Sequence, residues 1–208
     1  MRSFMFVLLL SPALLLPALS PARAQDAPDW TLDPGVLVAG NDLLLRAPDR
    51  DIDALFQAVH AASQDQHQAQ ALCALFAPGA DRSIDALNAA AMALDPTSRE
   101  RFASAVAAVL LAALQSPLQP WDQAAARQSL KVAGATAAIL HDGFLAGLNA
   151  EGNDADSRGS RCRSLRWLLD AMDARPAPER AAMTRLLLSQ GLSYLGGAVA
   201  GSPPQAPP

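Results

Sequence analysis

The sequence predicts an all-α fold: a single helical bundle or orthogonal array of about six helices, with an irregular N-terminal arm and a disordered C-terminal tail. Two observations predict it. Apolar residues recur at helical spacing through residues 49–195, and the turn signals between them are short. The sequence shows no repeat of fixed period and no second domain. A helical domain of roughly 150 residues buries about two thirds of its unfolded surface.

Residues 1–24 have the pattern of a secretory signal peptide. Arg2 precedes a Leu-rich run that contains prolines, and Ala22 and Ala24 satisfy the small-x-small rule of signal peptidase. We expect cleavage near Ala24 and no membrane insertion afterwards, because no cysteine follows closely enough to accept a lipid. An uncleaved anchor is the alternative. Lys131 is the only lysine among 16 basic residues, a bias typical of GC-rich bacterial genomes, so the expected location is the periplasm or the exterior.

The composition excludes nucleic acid as a partner. The formal net charge is −4, and it becomes more negative when Arg2 and Arg23 leave with the signal. Aromatic residues make up 5% of the chain. Nucleic-acid binding needs clustered cations and stacking platforms, which this chain lacks. Its acidity instead suits the steering of a basic protein partner.

The two ends of the mature chain differ from its centre. Residues 25–48 carry turn signals and two short apolar runs, 36–39 and 43–45, separated by Gly-Asn-Asp. They predict a short hairpin or an extended arm. Residues 196–208 consist mainly of Gly, Ala, Pro and Ser and are expected to be disordered.

Three helices are predicted in the first part of the domain. Asp49 or Asp51 can cap the first, and Asp81 or Ser83 can start the second. Thr97 and Glu100 form a capping-box pattern at the start of the third. The residues expected to face inward are Ile52, Leu55, Phe56, Val59, Leu72, Leu75 and Phe76 in the first, Ile84, Leu87 and Leu94 in the second, and Phe102, Val106, Val109, Leu110 and Leu114 in the third.

A central helix is predicted from Trp121 to about Leu148, because the stretch VAGATAAIL is apolar all round and such a helix is normally surrounded by others. It is too short to span a membrane before His141 interrupts it. Its glycines, Gly134, Gly143 and Gly147, predict close approaches of a neighbouring backbone.

Two more helices follow, at about 160–174 and 177–195, and Gly196 and Gly197 are expected to end the second. Their predicted inward residues are Leu165, Leu168, Leu169 and Met172, then Met183, Leu186, Leu187 and Leu192.

The stretch RGSRCRSLRW places four arginines around Cys162, one of two cysteines. An oxidising compartment favours a Cys73–Cys162 disulfide, whereas a reactive thiol would lack a second cysteine at CxxC spacing. Arg166 can pair with Asp170 four residues later. The four arginines are interpreted either as a solvated, ion-paired face or as a partner-binding patch; they are Arg158, Arg161, Arg163 and Arg166.

The histidines give weak evidence for chemistry. His60 and His67 lie seven residues apart in a polar stretch, too far apart to share one metal, and are expected to face water. His141 and Asp142 form a polar pair in the most apolar segment. They either find partners at the edge of a groove or line a functional cleft.

No catalytic or metal-binding motif is complete. The chain has no G-x-S-x-G elbow. A calcium-loop pattern starting at Asp154 and Asp156 fails, because Arg158 and Leu165 stand where oxygen ligands belong. We therefore predict no metal and no cofactor, and a solvated connector at this loop.

The sequence thus favours a non-enzymatic module that binds another periplasmic or envelope protein, such as a toxin-neutralising immunity protein or inhibitor, or an assembly factor. The alternative is a small metal-dependent or hydrolytic enzyme centred on His141 and Asp142. A ligand carrier with an apolar cavity is a third reading.

Overall fold

The structure, a computed structural model, describes residues 34–77 and 79–199. Within these ranges it contains nine α-helices and no strand, which confirms the all-α class. The predicted signal peptide lies outside the described residues. The helices are α1 (Pro34–Arg46), α2 (Asp49–Gln64), α3 (Gln66–Ala74), α4 (Ile84–Met92), α5 (Pro96–Gln115), α6 (Gln123–Leu140), α7 (Phe144–Leu148), α8 (Ala155–Asp173) and α9 (Ala177–Val199).

The hairpin or extended arm predicted before residue 48 is wrong from Pro34 onward, where α1 begins. This helix packs on α5 and α9, and Leu44 and Ala47 are buried there. Gly40 makes the approach to α9 close: a Cβ at this position would lie 2.9 Å from Leu192 Cδ1. Gly-Asn-Asp favours a turn only through local preferences, and the burial of one face of α1 against other helices outweighs these preferences.

The first predicted helix is two helices, because Asp65 ends α2 and caps α3. The Asp65 backbone is extended, and its side chain accepts a hydrogen bond from the Gln68 N–H at 2.9 Å. Neither Asp49 nor Asp51 caps α2, which follows Pro48 directly. The predicted inward residues Ile52, Leu55 and Phe56 are buried, but Phe76 is exposed beyond the end of α3.

The cap of α5 also differs from the prediction. Ser83 caps α4 as expected. However, α5 begins at Pro96 with Asp95 as its N-cap, so the Thr97/Glu100 capping box is wrong. Proline favours the first helical position because it has no N–H to satisfy there, and aspartate caps as well as threonine does. Asp95 also accepts a hydrogen bond from Gln68 Nε2 at 2.6 Å, which links α3 to α5.

Asp95 provides a pH-dependent prediction. The backbone N–H of Ser98, 2.8 Å from Asp95 Oδ1, lowers the pKa of this carboxyl below its ordinary value. Since the folded-state pKa is the lower one, the stabilisation is complete above the ordinary value of about 3.9 and is lost as the pH falls through the folded-state pKa. Asp95→Asn retains a capping oxygen that does not titrate. Urea midpoints measured from pH 6 to pH 2.5 should therefore fall less in Asp95→Asn than in the wild type; parallel curves would contradict this.

The core consists of two hydrophobic clusters that share α2 and α9. One lies among α1, α2, α5 and α9 and includes Ile52, Leu55, Val109 and Ala181. The other lies among α2, α6, α7, α8 and α9. It contains Phe56, Ala133, Ala137, Phe144, Ala171, Met172 and Met183. Leu114 and Leu187, predicted to face inward, are exposed.

Two arginines of α9 attach it to its neighbours through polar contacts. Arg180 Nε and Nη2 donate to the Asp53 carboxylate at 2.8 and 2.9 Å, which joins α9 to α2. Arg185 is fully buried, and its guanidinium donates hydrogen bonds where α1 ends and α2 begins. The acceptors are the backbone oxygens of Leu44 and Ala47 and the carboxylate of Asp49. The sequence prediction did not single out either residue.

Cys73 of α3 and Cys162 of α8 form the disulfide that the sequence predicts, with a Cα–Cα distance of 5.3 Å. The bond spans 89 residues and fixes α3 against α8. Cys162 is therefore half of a crosslink and not a free thiolate.

The C-terminal helix is longer than predicted. It runs to Val199, so Gly196 and Gly197 do not end it. Residues 200–208 of the predicted disordered tail lie outside the described residues. In the part of the chain that the structure describes, no helix combines the length and apolar character needed to cross a bilayer.

Candidate functional site

The short helix α7 lies directly against α8, and Gly147 permits this approach. A Cβ on Gly147 would lie 2.5 Å from the backbone oxygen of Ser160 and would meet the Ser164 hydroxyl. The buried Ser164 Oγ donates to the backbone oxygen of Phe144 at 2.8 Å. The predicted close approach therefore holds at Gly147. It is wrong at Gly134 and Gly143, where an added Cβ would meet nothing within 4 Å.

A turn at residues 141–143 separates α6 from α7, so the predicted central helix is interrupted. Gly143 has φ 84°, in the left-handed region that glycine adopts without strain. The backbone N–H of His141 donates to Ala137 O at 3.0 Å and ends α6. The His141 ring stacks on Trp167 of α8, with centroids 4.6 Å apart and planes 2° apart. The polar pair is thus divided: His141 contacts an aromatic ring, while Asp142 is exposed.

A groove of about 380 Å³ opens between α7 and the first half of α8. The α7 side presents small residues, and the α8 side presents hydroxyls, a guanidinium and an indole. The lining residues are Asp142, Gly143, Ala146, Gly147, Ala150, Asp156, Ser157, Ser160, Arg163 and Trp167. Because α7 is held by the Gly147 contact and Trp167 by the His141 stack, the walls of the groove are preformed.

Both signs of charge line this groove. Arg163 Nη2 donates to Ser160 Oγ at 3.2 Å, and no other side-chain hydrogen bond joins its guanidinium to a described residue. No hydrogen bond or ion pair to another described residue involves Asp142. Asp156 lies in the first turn of α8, where its negative charge interacts favourably with the positive end of the helix dipole. Among the described residues, the groove therefore presents a carboxylate without a partner and a guanidinium with one hydrogen bond, to Ser160.

The four predicted partner-binding arginines do not form one face. Arg161 is buried, and its Nη1 donates to the backbone oxygens of Ala150 and Gly152 at 2.6 and 2.7 Å. Arg166 is half-buried, and its Nε is a buried donor with no partner among the described residues. Arg158 and Arg163 are exposed, and only Arg163 lines the groove.

The loop before α8 serves as a helix start. Asp154 is the N-cap, and its carboxylate accepts hydrogen bonds from the backbone N–H and the hydroxyl of Ser157 at 2.9 and 2.7 Å. The backbone N–H of Ser157 is the main cause of the lowered pKa of this carboxyl. The predicted connector is correspondingly shorter, because α8 begins at Ala155 and not at Ser160.

The region where α6 meets α7 exposes several large apolar side chains. We call this the apolar corner; its residues are Val132, Ile139, Leu140, Leu145 and Leu148. Ile139 is 83% exposed, Leu140 67% and Leu145 59%. The prediction that neighbours surround the central helix is therefore wrong. Helix α6 packs on α8 and α9 mainly through its alanines, with Leu130 partly buried beside them, and leaves Val132, Ile139 and Leu140 exposed.

His60 is not the water-facing residue that the sequence predicts. Its side chain is 17% exposed, and Nε2 lies 2.9 Å from Asp170 Oδ1. Gln64 Nε2 also donates to Asp170 Oδ1, at 2.9 Å, so Asp170 is engaged by α2 and the predicted Arg166–Asp170 pair is wrong. His67 is exposed, as predicted. His60 therefore joins α2 to α8.

The serines near His141 have structural partners. Ser157 bonds Asp154, Ser160 accepts from Arg163, and Ser164 bonds the backbone of Phe144. No described serine is hydrogen-bonded to His141, so the nucleophile–base geometry of a hydrolase is not assembled there. Among the described residues, no cluster of three His, Cys, Asp or Glu side chains is arranged to hold a metal.

Comparisons of the chain with protein-family models, with curated proteins and with solved structures find no match. The groove and the apolar corner are therefore the features of the chain that indicate a function.

Proposed function

We propose that this chain is a secreted or periplasmic protein-binding module, without enzymatic activity, that docks its partner on the apolar corner. The observation that carries the proposal is the exposure of Ile139, Leu140 and Leu145 on consecutive helices. Exposed apolar side chains cost solvation free energy, and covering them with a partner recovers this free energy.

The surroundings of the apolar corner support a protein partner. Arg163 and Trp167, both in the adjacent groove, belong to the residue types that contribute most energy at interfaces. Ile139 and Leu140 end α6, and Leu145 lies just after the tight turn, so one partner surface can cover all three. The acidity of the chain favours a partner with a basic rim, through faster association.

The proposed location follows from the N-terminal pattern and is compatible with the disulfide. Arg2, the Leu-rich run and the Ala22-x-Ala24 site match a cleaved signal. Oxidising compartments maintain a bond such as Cys73–Cys162. Within this proposal the partner is an envelope enzyme, a toxin or an assembly component, and the module neutralises or positions it.

Affinity capture with paired surface variants tests the proposal. The bait is the mature chain from Gln25, and the extract comes from the envelope of the producing cell. The corner variant Ile139→Gln/Leu140→Gln should lose a partner that the wild type retains in stoichiometric amount. The loss should exceed about tenfold, since each buried aliphatic side chain contributes about 1.5 to 3 kcal/mol.

The matched control lies on α5, where Leu111 and Leu114 are 61% and 74% exposed. Leu111→Gln/Leu114→Gln removes similar apolar surface outside the apolar corner and should retain the partner. Recovery of the wild-type bait alone, or equal loss in both variants, would overturn the proposal.

A further inference from the structure

We propose that the groove between α7 and α8 binds a small zwitterion, a free amino acid or a short peptide, with Arg163 on its carboxylate and Asp142 on its ammonium group. The inference goes beyond protein docking and does not depend on it. A free amino acid and a short peptide both carry a carboxylate and an ammonium group.

The charges of the groove support a ligand that carries both signs. A simple anion would bind Arg163 but would face Asp142 and Asp156, and a simple cation would face Arg163. Arg163 and Asp142 form no ion pair with each other. One ligand with two opposite charges can satisfy both, through charge-assisted hydrogen bonds to the guanidinium and to the carboxylate.

The shape of the groove supports a ligand of this size. Its volume of about 380 Å³ lies at the lower end of the range of small-molecule sites. Gly143 and Ala146 leave space along the α7 wall, and an added Cβ on Gly143 would meet nothing within 4 Å. The Ser157 and Ser160 hydroxyls can accept further N–H donors, and the indole of Trp167 offers an apolar surface to a side chain.

The wall that carries Trp167 is fixed before any ligand binds. The His141 ring covers this indole at 4.6 Å, so its orientation is set by the protein. Preorganisation of this kind lowers the entropy lost on binding. It also gives His141 a positioning role in this site.

Isothermal titration calorimetry with the folded, disulfide-bonded mature chain tests the inference. The probes are the common L-amino acids, a set of dipeptides, and N-acetyl amino-acid amides, which lack both charges. We expect saturable binding of at least one amino acid or dipeptide and none of its N-acetyl amide. Tighter binding of the dipeptide would identify peptides as the source, and tighter binding of the amino acid would identify free amino acids.

Two groove variants and one control complete the test. Arg163→Gln and Asp142→Asn should each weaken binding by about tenfold or more, because a hydrogen bond to a charged group is lost. Arg158→Gln, on the same helix but outside the groove, should bind as the wild type does. Absence of binding by every zwitterion, equal binding of the N-acetyl amides, or unchanged binding in both groove variants would overturn the inference.

Discussion

Replacing both cysteines, Cys73→Ala/Cys162→Ala, should lower the free energy of unfolding by about 4 to 5 kcal/mol in the simple loop-entropy model. The disulfide closes a loop of 89 residues, from α3 to α8, and its removal frees this long segment in the unfolded chain. The total stability of a domain is normally about 5 to 15 kcal/mol, so the loss should amount to roughly a third of it or more. Urea denaturation at 25 °C measures the difference.

The control is the wild type in a reducing agent. Its stability should fall to that of the double variant, whereas the double variant itself should not respond to the reductant. A loss below about 1 kcal/mol would mean that the bond constrains little of the unfolded chain. Helices α3 and α8 would then be held mainly by packing.

Arg185→Ala should lower the free energy of unfolding by about 2 to 4 kcal/mol, because it removes the donor of buried backbone oxygens and the packing of a fully buried side chain. Arg185 is fully buried in α9. Its Nη2 lies 3.0 Å from Ala47 O and 2.6 Å from Asp49 Oδ1. These acceptors lie where α1 ends and α2 begins, so the variant leaves the backbone oxygens of the corner without a donor and opens a cavity.

Two further variants show whether the charge of Arg185 or the shape of its guanidinium stabilises the protein. Arg185→Lys keeps a positive charge but lacks the planar fork, so it should lose stability to an intermediate extent. Arg50→Ala removes an arginine that is 82% exposed and should change stability by less than about 0.5 kcal/mol. If Arg185→Ala were as stable as Arg50→Ala, this buried network would contribute nothing to attaching α1.

Helical spacing is sufficient to predict the class of this fold but not its helix ends. The pattern Ile52, Leu55, Phe56 identifies a buried face from the sequence alone, because a 3.6-residue period is a property of the chain. The break at Asp65 could not be predicted, because a capping aspartate and a polar helix surface look alike in sequence. Helix α1 depends on burial against α5 and α9, which involves residues distant along the chain.

The candidate site could not be predicted either, because it also depends on contacts between residues that are distant along the chain. His141 and Asp142 stand out as polar residues in an apolar stretch, but the groove exists only because Gly147 brings α7 onto α8. An apolar composition did not imply burial of α6, because its small alanines make the contacts. Arg185 could have been noticed as an arginine between Met183 and Leu186, and His60 as a residue four positions from buried Phe56.

Site-specific photocrosslinking in the producing cell tests most directly whether the apolar corner is an interface. A photoreactive phenylalanine analogue is placed at Ile139, or at Leu114 on α5 as the matched position. The docking proposal predicts a discrete adduct of higher mass from position 139 and none from position 114. No adduct at 139, or adducts of equal yield at both positions, would contradict it.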